Sequence, residues 1–136
     1  MKQLDIKAEK ENLPQVLESV GAVLDEMNCG HKARIQIETA VEEVFVNIAS
    51  YAYDPEIGPA TVRIETKESP LSVIMTFIDQ GRPYDPLAKP DVNLDRPMKE
   101  RKKGGLGIFM VKKAMDGVNY EYKDGSNILT LTKNIE

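Results

Sequence analysis

The run Leu71-Ser-Val-Ile-Met-Thr-Phe-Ile78 is apolar on both of its faces and leads directly into Asp79. In an extended chain Val73, Met75 and Phe77 fall on one side, and Ile74 and Ile78 on the other. A strand of that kind is covered from both sides, which puts it in the middle of a sheet. Its neighbours can be read from the same alternation. Ala60 to Glu68 alternates through Val62 and Ile64 and joins the central run at the turn Ser69-Pro70. Val118 to Lys123 and Asn127 to Lys133 alternate around Asp124-Gly125, a strong hairpin signal. Gln3 to Lys7 alternates weakly, as an edge strand does.

Three stretches have helical spacing instead. In Glu11 to Met27, residues Leu13, Val16, Leu17, Val20, Val23 and Leu24 recur at three and four, with Asn12 placed as a cap and Pro14 in the first turn. His31 to about Tyr53 carries the stripe Ile37, Ala40, Val41, Val44, Ile48 and Ala52. It is stopped by turn residues from Asp54-Pro55 to Gly58-Pro59. Gly107 to Met115 reads as a short helix. The expected fold is an α/β (α+β) two-layer sandwich, a mixed and mainly antiparallel sheet with helices on one face.

At 136 residues the chain is expected to form a single domain over 1–136, with a core large enough to need no staple. Its one cysteine, Cys29, excludes an internal disulfide and a cysteine-built zinc site. A net charge of -4, from 18 basic and 22 acidic residues, gives no general attraction to nucleic acid or to an anionic membrane. No apolar run approaches a membrane span, and the start of the chain lacks a signal pattern, so the cytoplasm is the expected compartment.

Chemistry concentrates in three places. In Glu43-Val-Phe-Val-Asn47 the two polar ends lie four residues apart and share a helix face. Counted at about 100° per residue, both fall at the edge of the apolar stripe, whereas Glu42 points nearly opposite. In Asp79-Gln-Gly81-Arg-Pro-Tyr-Asp85-Pro86 a carboxylate follows the central strand. It can accept a hydrogen bond from an exocyclic amine, and Gly81 can let a flat base approach. Gly104-Gly105-Leu106-Gly107 opens a helix, whose free N–H groups favour phosphate. There is no Gly-Lys-Ser/Thr, so the box is not a P-loop, and no strand precedes it, so the dinucleotide fingerprint lacks its context.

Each piece alone has a plainer reading. Polar helix residues are usually solvated, Asp, Gly and Pro make turns, and a basic run such as Arg101-Lys-Lys103 is most often a solvated stretch. His31 and Cys29 read as structural. Residues 82–103, with four prolines and little periodicity, are too long for an ordinary connection and suggest a lid.

Taken together and in order, the three stretches resemble the GHKL (Bergerat) ATPase superfamily. Within it the chain is most similar to the bacterial anti-sigma factor serine/threonine kinases of the RsbW type. The resemblance runs from about Gln36 to Lys133. It rests on Glu43-Val-Phe-Val-Asn47 with Ala52-Tyr53, on Asp79-Gln-Gly81 with Tyr84-Asp85-Pro86-Leu87, on Gly104-Gly-Leu-Gly-Ile-Phe-Met-Val111 with Met115-Asp116, and on Asn127-Ile-Leu-Thr-Leu.

The resemblance implies the histidine-kinase-like ATPase fold, with ATP and Mg²⁺ as cofactors. Asn47 would hold Mg²⁺, and Glu43 would be the general base. Asp79 would bond the adenine amine, with Gly81 making room. Gly104, Gly105, Leu106 and Gly107 would wrap the phosphates, Lys103 would meet the γ-phosphate, and Asp85 and Asn127 would fall in the nucleotide site. It implies a kinase acting on a serine of a STAS-type anti-anti-sigma protein, with a sigma factor as second partner and a homodimer as assembly. Two departures stand out. Arg82-Pro83 occupies the place of a second glycine, and Tyr51 stands where a histidine is common. A non-catalytic, nucleotide-dependent binding module of the same fold is the alternative, and an ATPase subunit of a larger machine a third.

Overall fold

The computed structural model describes residues 1–86 and 105–135, with Gly105 and Leu106 as backbone only. The elements in chain order are β1 (Lys2–Lys7), α1 (Leu13–Glu26), α2 (His31–Asn47), β2 (Pro59–Lys67), β3 (Ser72–Asp79), α3 (Gly105–Ala114), β4 (Gly117–Lys123) and β5 (Ser126–Asn134). A 3₁₀ turn, Lys10–Asn12, leads into α1, and a π-helical turn, Ile48–Ala52, ends α2.

The five strands form one sheet in the order β1-β2-β3-β5-β4. The strand that is apolar on both faces, β3, is the middle one. All four ladders are antiparallel, so the mixture expected from the sequence reduces to a single kind of pairing. The reason is topological. Two hairpins, β2–β3 and β4–β5, meet at β3 and β5, and among the described residues no two strands pair in parallel. Asp124 and Gly125 turn the second hairpin with φ values of 52° and 80°. Successive positive φ values are what a two-residue hairpin turn demands.

Alternation sorts each strand between two faces. Val62 and Ile64, Val73, Met75 and Phe77, and Leu129 and Leu131 are buried on one face, beneath the helices. There they meet Val16, Val20 and Leu24 of α1, Ile37, Val41, Val44 and Phe45 of α2, and Val111 with Met115 at the α3 end. Among the described residues no helix lies on the opposite face, and Ile74, Ile78 and Ile128 on it remain half-buried. Burying large apolar side chains of this kind, at roughly 1.5–3 kcal/mol each, makes this core the main stabilising term.

Two local expectations are corrected. Asn12 does not cap α1 with its side chain; its Nδ2 donates instead to the Lys7 carbonyl at 2.9 Å, tying the helix entrance to β1. The second helix does not run regularly to Tyr53, because its last turn is π-helical. At the far end of α3, Lys133 Nζ donates to the Ala114 carbonyl at 2.8 Å and satisfies an orphan acceptor.

Candidate functional site

The core-facing positions of β3 run Val73, Met75, Phe77, Asp79, so the apolar row ends in a carboxylate. Directly across the ladder from Asp79 stands Asn127 of β5. Asp79 is only 5% exposed and Asn127 only 7%. Buried polar groups of this kind are costly unless hydrogen-bonded, and here they bond to each other. Asn127 Nδ2 donates to Asp79 Oδ1 at 2.9 Å, and the Gly81 amide donates to the same oxygen at 2.9 Å.

A cavity of about 450 Å³ opens over this pair. Its floor is the sheet: Phe77 and Asp79 of β3, Leu129 and Asn127 of β5, Tyr120 of β4. Its roof is the end of α2, with Val44, Asn47, Ile48, Tyr51 and Ala52. Arg82, Tyr84 and Pro86 wall one side, and Ile108 of α3 another. The walls are mostly apolar, with polar groups at Asp79–Asn127, at Asn47 and at the rim residues Asp54 and Arg82. That is the composition of a site for a largely flat, apolar ligand recognised at its edge.

The turn after β3 is fastened to the end of α2. Arg82 donates its amide to the Ala52 carbonyl at 3.1 Å, and its guanidinium reaches the Asp54 carbonyl. Tyr53 accepts from the Gln80 amide at 2.7 Å and donates to the Pro59 carbonyl at 2.6 Å. Gly81 is packed so closely on the Ala52 backbone that a Cβ would overlap its carbonyl. The glycine is therefore required by this chain-on-chain contact, whatever occupies the cavity.

Glu43 and Asn47 lie one helical turn apart on α2, and Glu42 is exposed on another face. Asn47 lines the cavity. Glu43 lies outside the lining, beneath the first turn of α3, where its carboxylate abuts Gly107. Its Oε1 is buried without a hydrogen-bond partner. Burial holds the Glu43 carboxyl above its ordinary range; the Asn47 side chain pulls in the opposite direction, and the charge of Glu42 pushes it further up.

Of the expected site residues, Asn47, Asp79 and Asn127 come together in the lining, and Gly81 stands behind it. Asp85 is exposed, and the lining includes Tyr84 and Pro86 on either side of it but not Asp85 itself. Gly105, Leu106 and Gly107 form the first turn of α3. Lys103, Gly104 and all but the first residues of the expected lid lie outside the described residues. Tyr120 was not singled out from the sequence. Its hydroxyl donates to Asn127 Oδ1 at 2.5 Å. The signal was present: Val118, Tyr120 and Tyr122 alternate, and a tyrosine on a half-buried strand needs a partner for its hydroxyl.

Adenosine fits the cavity by size and by the acceptor at its end. For a metal ion, no group of three or more His, Cys, Asp or Glu side chains among the described residues could hold one. A single amide oxygen at Asn47 suits Mg²⁺ carried in with phosphates, since that ion keeps several waters. Among the described residues no helix is long and apolar enough to cross a membrane.

Among the described residues, a five-stranded antiparallel sheet under three helices, with a carboxylate ending its middle strand at the mouth of a mostly apolar cavity, defines an ATPase-like nucleotide-binding domain. The chain belongs to the histidine kinase-like ATPase domain family, which it matches over residues 6–133. It is 27% identical over 135 residues to the serine-protein kinase RsbW of Halalkalibacterium halodurans, covering 96% of this chain and 81% of that one. It is 29% identical over 101 residues to the serine/threonine-protein kinase BtrW of Bordetella bronchiseptica, covering 74% and 70%. With the anti-sigma F factor of Caldanaerobacter subterraneus it shares 28% over 100 residues, covering 73% and 68%. Its fold is that of the crystal structure of the RsbU and RsbW domains of a Mycobacterium tuberculosis protein. The TM-score is 0.69 at 17% identity, over 99% of this chain and 33% of that longer one.

Proposed function

We propose that this chain is a cytoplasmic ATP- and Mg²⁺-dependent protein serine/threonine kinase of the anti-sigma type. Its substrate is a serine on a STAS-type anti-anti-sigma protein, and its second partner is a sigma factor. The observation that carries the reading is Asp79, a hydrogen-bonded carboxylate closing a mostly apolar cavity of about 450 Å³ with Asn47 along its roof. The names of the relatives supply the class of reaction and the kind of partner.

Within that reading Asp79 accepts from the adenine amine, and the apolar walls from Phe77, Ile48 and Leu129 take the base. Asn47 holds Mg²⁺ by its side-chain oxygen, and the ion when bound neutralises charge on the phosphates. The first turn of α3, Gly105 to Gly107, offers backbone N–H groups to the phosphates, with Gly104 and Lys103 completing that end. Glu43 takes the proton of the attacking serine hydroxyl, a task suited by a carboxyl whose basicity burial has raised. The working unit is a homodimer.

A second reading has one observation in its favour. Glu43 is covered by Gly107 and stands outside the cavity, as it could in a nucleotide-dependent binding module that transfers nothing. One pair of measurements decides. Calorimetry with Mg²⁺ should give a saturable heat for ATP, and radiolabelled ATP should then pass its phosphate to an STAS-type partner. No heat for any adenosine nucleotide rejects the site itself. Binding without transfer favours the second reading. Light scattering on the same sample gives the mass of the proposed dimer.

A further inference from the structure

We infer that Tyr120 and Asn127 set the base selectivity of the cavity as positioning residues, by holding Asp79 with one oxygen occupied and the other left as an acceptor. The inference rests on the nucleotide reading above.

Asn127 has no capacity left for a ligand. Its Nδ2 donates to Asp79 Oδ1 at 2.9 Å and to the Arg82 carbonyl at 2.9 Å, with the Gly81 carbonyl at 3.4 Å. Its Oδ1 accepts from the Tyr120 hydroxyl at 2.5 Å and from the Tyr84 amide at 3.1 Å. An asparagine amide has two hydrogens and two lone pairs, and all four are engaged by the protein. The same bonds fix which way the amide faces. Turned over, it would set nitrogen against the Tyr84 N–H and oxygen against the Asp79 carboxylate. Tyr120 reinforces that orientation, because burial pushes its hydroxyl above the usual tyrosine range and keeps it a donor.

The consequence falls on Asp79. Oδ1 receives both of its hydrogen bonds, from Asn127 Nδ2 and the Gly81 amide, which occupy its two lone pairs. Among the described residues Oδ2 has no hydrogen-bond partner. Among the described residues the buried side-chain oxygen or nitrogen lacking a partner is Glu43 Oε1, so Asp79 Oδ2 is reachable, and Asp79 lines the cavity. The cavity therefore presents an acceptor and no donor at that point. A six-amino purine offers an N–H to it, and a six-oxo purine sets a carbonyl against a carboxylate. Selectivity between the two is thus maintained by two lining residues that hold the acceptor in place and do not themselves read the six-position.

The test is direct binding of ATP and of ITP, which replaces the six-amino group by oxygen, to the full chain with Mg²⁺. Calorimetry is done on the wild type, Asn127→Asp and Tyr120→Phe, each checked for a cooperative melt. The wild type should prefer ATP by about tenfold or more. Asn127→Asp is close in shape but places a second carboxylate beside Asp79. The N–H bond to Oδ1 is lost and like charges repel, so Asp79 is no longer held in its orientation. Its ATP-to-ITP preference should fall by about tenfold, and that of Tyr120→Phe by about threefold, the loss of one neutral hydrogen bond. Global destabilisation lowers both affinities and leaves the ratio alone. A wild type that binds both equally, or a folded Asn127→Asp with an unchanged ratio, overturns the inference while the nucleotide site stands. Should Asn127→Asp not fold, an unchanged ratio in Tyr120→Phe overturns it. A wild type that binds neither nucleotide removes both readings.

Discussion

The carboxylate of Glu43 on α2 lies directly against the α-carbon of Gly107 on α3. Two helices far apart in sequence meet there with only the Glu43 side chain between them, because Gly107 has none. The first turn of α3, the one that opens with the glycine box, thereby covers the carboxyl group proposed as the base.

Gly107→Ala tests what that contact does. In a helix, alanine in place of glycine ordinarily stabilises by about 0.5–1 kcal/mol. Here the added Cβ would overlap the Glu43 carboxyl, so either the side chain or the α3 turn must shift. The expected outcome reverses the helix preference: a lower melting temperature, by calorimetry or circular dichroism, and phosphate transfer reduced about tenfold or more. A variant that melts higher than the wild type and transfers normally would show that the contact is loose.

Glu43→Gln separates stability from chemistry through pH. Burial raises the Glu43 carboxyl, with the Asn47 side chain opposing and Glu42 adding to the shift. The folded chain therefore holds that proton to higher pH than the unfolded chain does. Below the ordinary glutamate range both states are protonated and the group is neutral to stability. As pH rises through the raised value, ionisation costs the folded state, and the cost persists above it. The variant should melt higher than the wild type near pH 7, by roughly 1–3 °C because the site is partly solvated, and the gain should vanish near pH 4. Transfer should be lost while ATP binding remains. The wild-type transfer rate should fall on its acid side at a pH above the usual glutamate range. Equal melting at both pH values would mean that Glu43 is hydrated.

Much of this geometry was legible before any coordinates. The central position of β3 followed from an apolar run with two covered faces. The stripe on α2 placed Glu43 and Asn47 at its edge by counting alone. Both are local patterns of period two or 3.6, and such patterns survive folding because the core selects them. The corrections come from contacts that periodicity does not encode. Asn12 bonds to Lys7 across a chain entry instead of capping its helix. The last turn of α2 winds as a π-helix, and it is there that Ala52 accepts from Arg82. Tyr120 escaped notice because its partner, Asn127, is known only once the β4–β5 register is known. That Glu43 is covered depends on α3, which the sequence puts more than 60 residues away.

Asn47→Ala probes the metal end of the cavity. Asn47 lines the roof beside Val44 and Ile48, and its proposed ligand role depends on the ion. Affinity for ATP with Mg²⁺ should fall about tenfold or more. Affinity measured in excess chelator should change little, because the base contacts at Asp79 are untouched. Equal losses under both conditions would assign Asn47 to packing instead.

Tyr53→Phe asks whether the base end depends on a residue outside the cavity. The Tyr53 hydroxyl joins the Gln80 amide, at 2.7 Å, to the Pro59 carbonyl, at 2.6 Å. Its ring covers Gly58, where a Cβ would have no room. One phenol therefore connects the end of α2, the start of β2 and the turn that follows Asp79. Removing the hydroxyl leaves an amide and a carbonyl without their partner, a loss of about 1–2 kcal/mol. In a domain of this size the melting temperature should fall by roughly 3–8 °C. Gln80 immediately follows Asp79, so slack there should also loosen the two N–H contacts that orient the carboxylate. Affinity for ATP should drop about threefold to tenfold although Tyr53 touches no ligand in this reading. A variant with the full melting loss and unchanged affinity would show that the Ala52–Arg82 bond and the Gly81 contact hold the turn without the phenol.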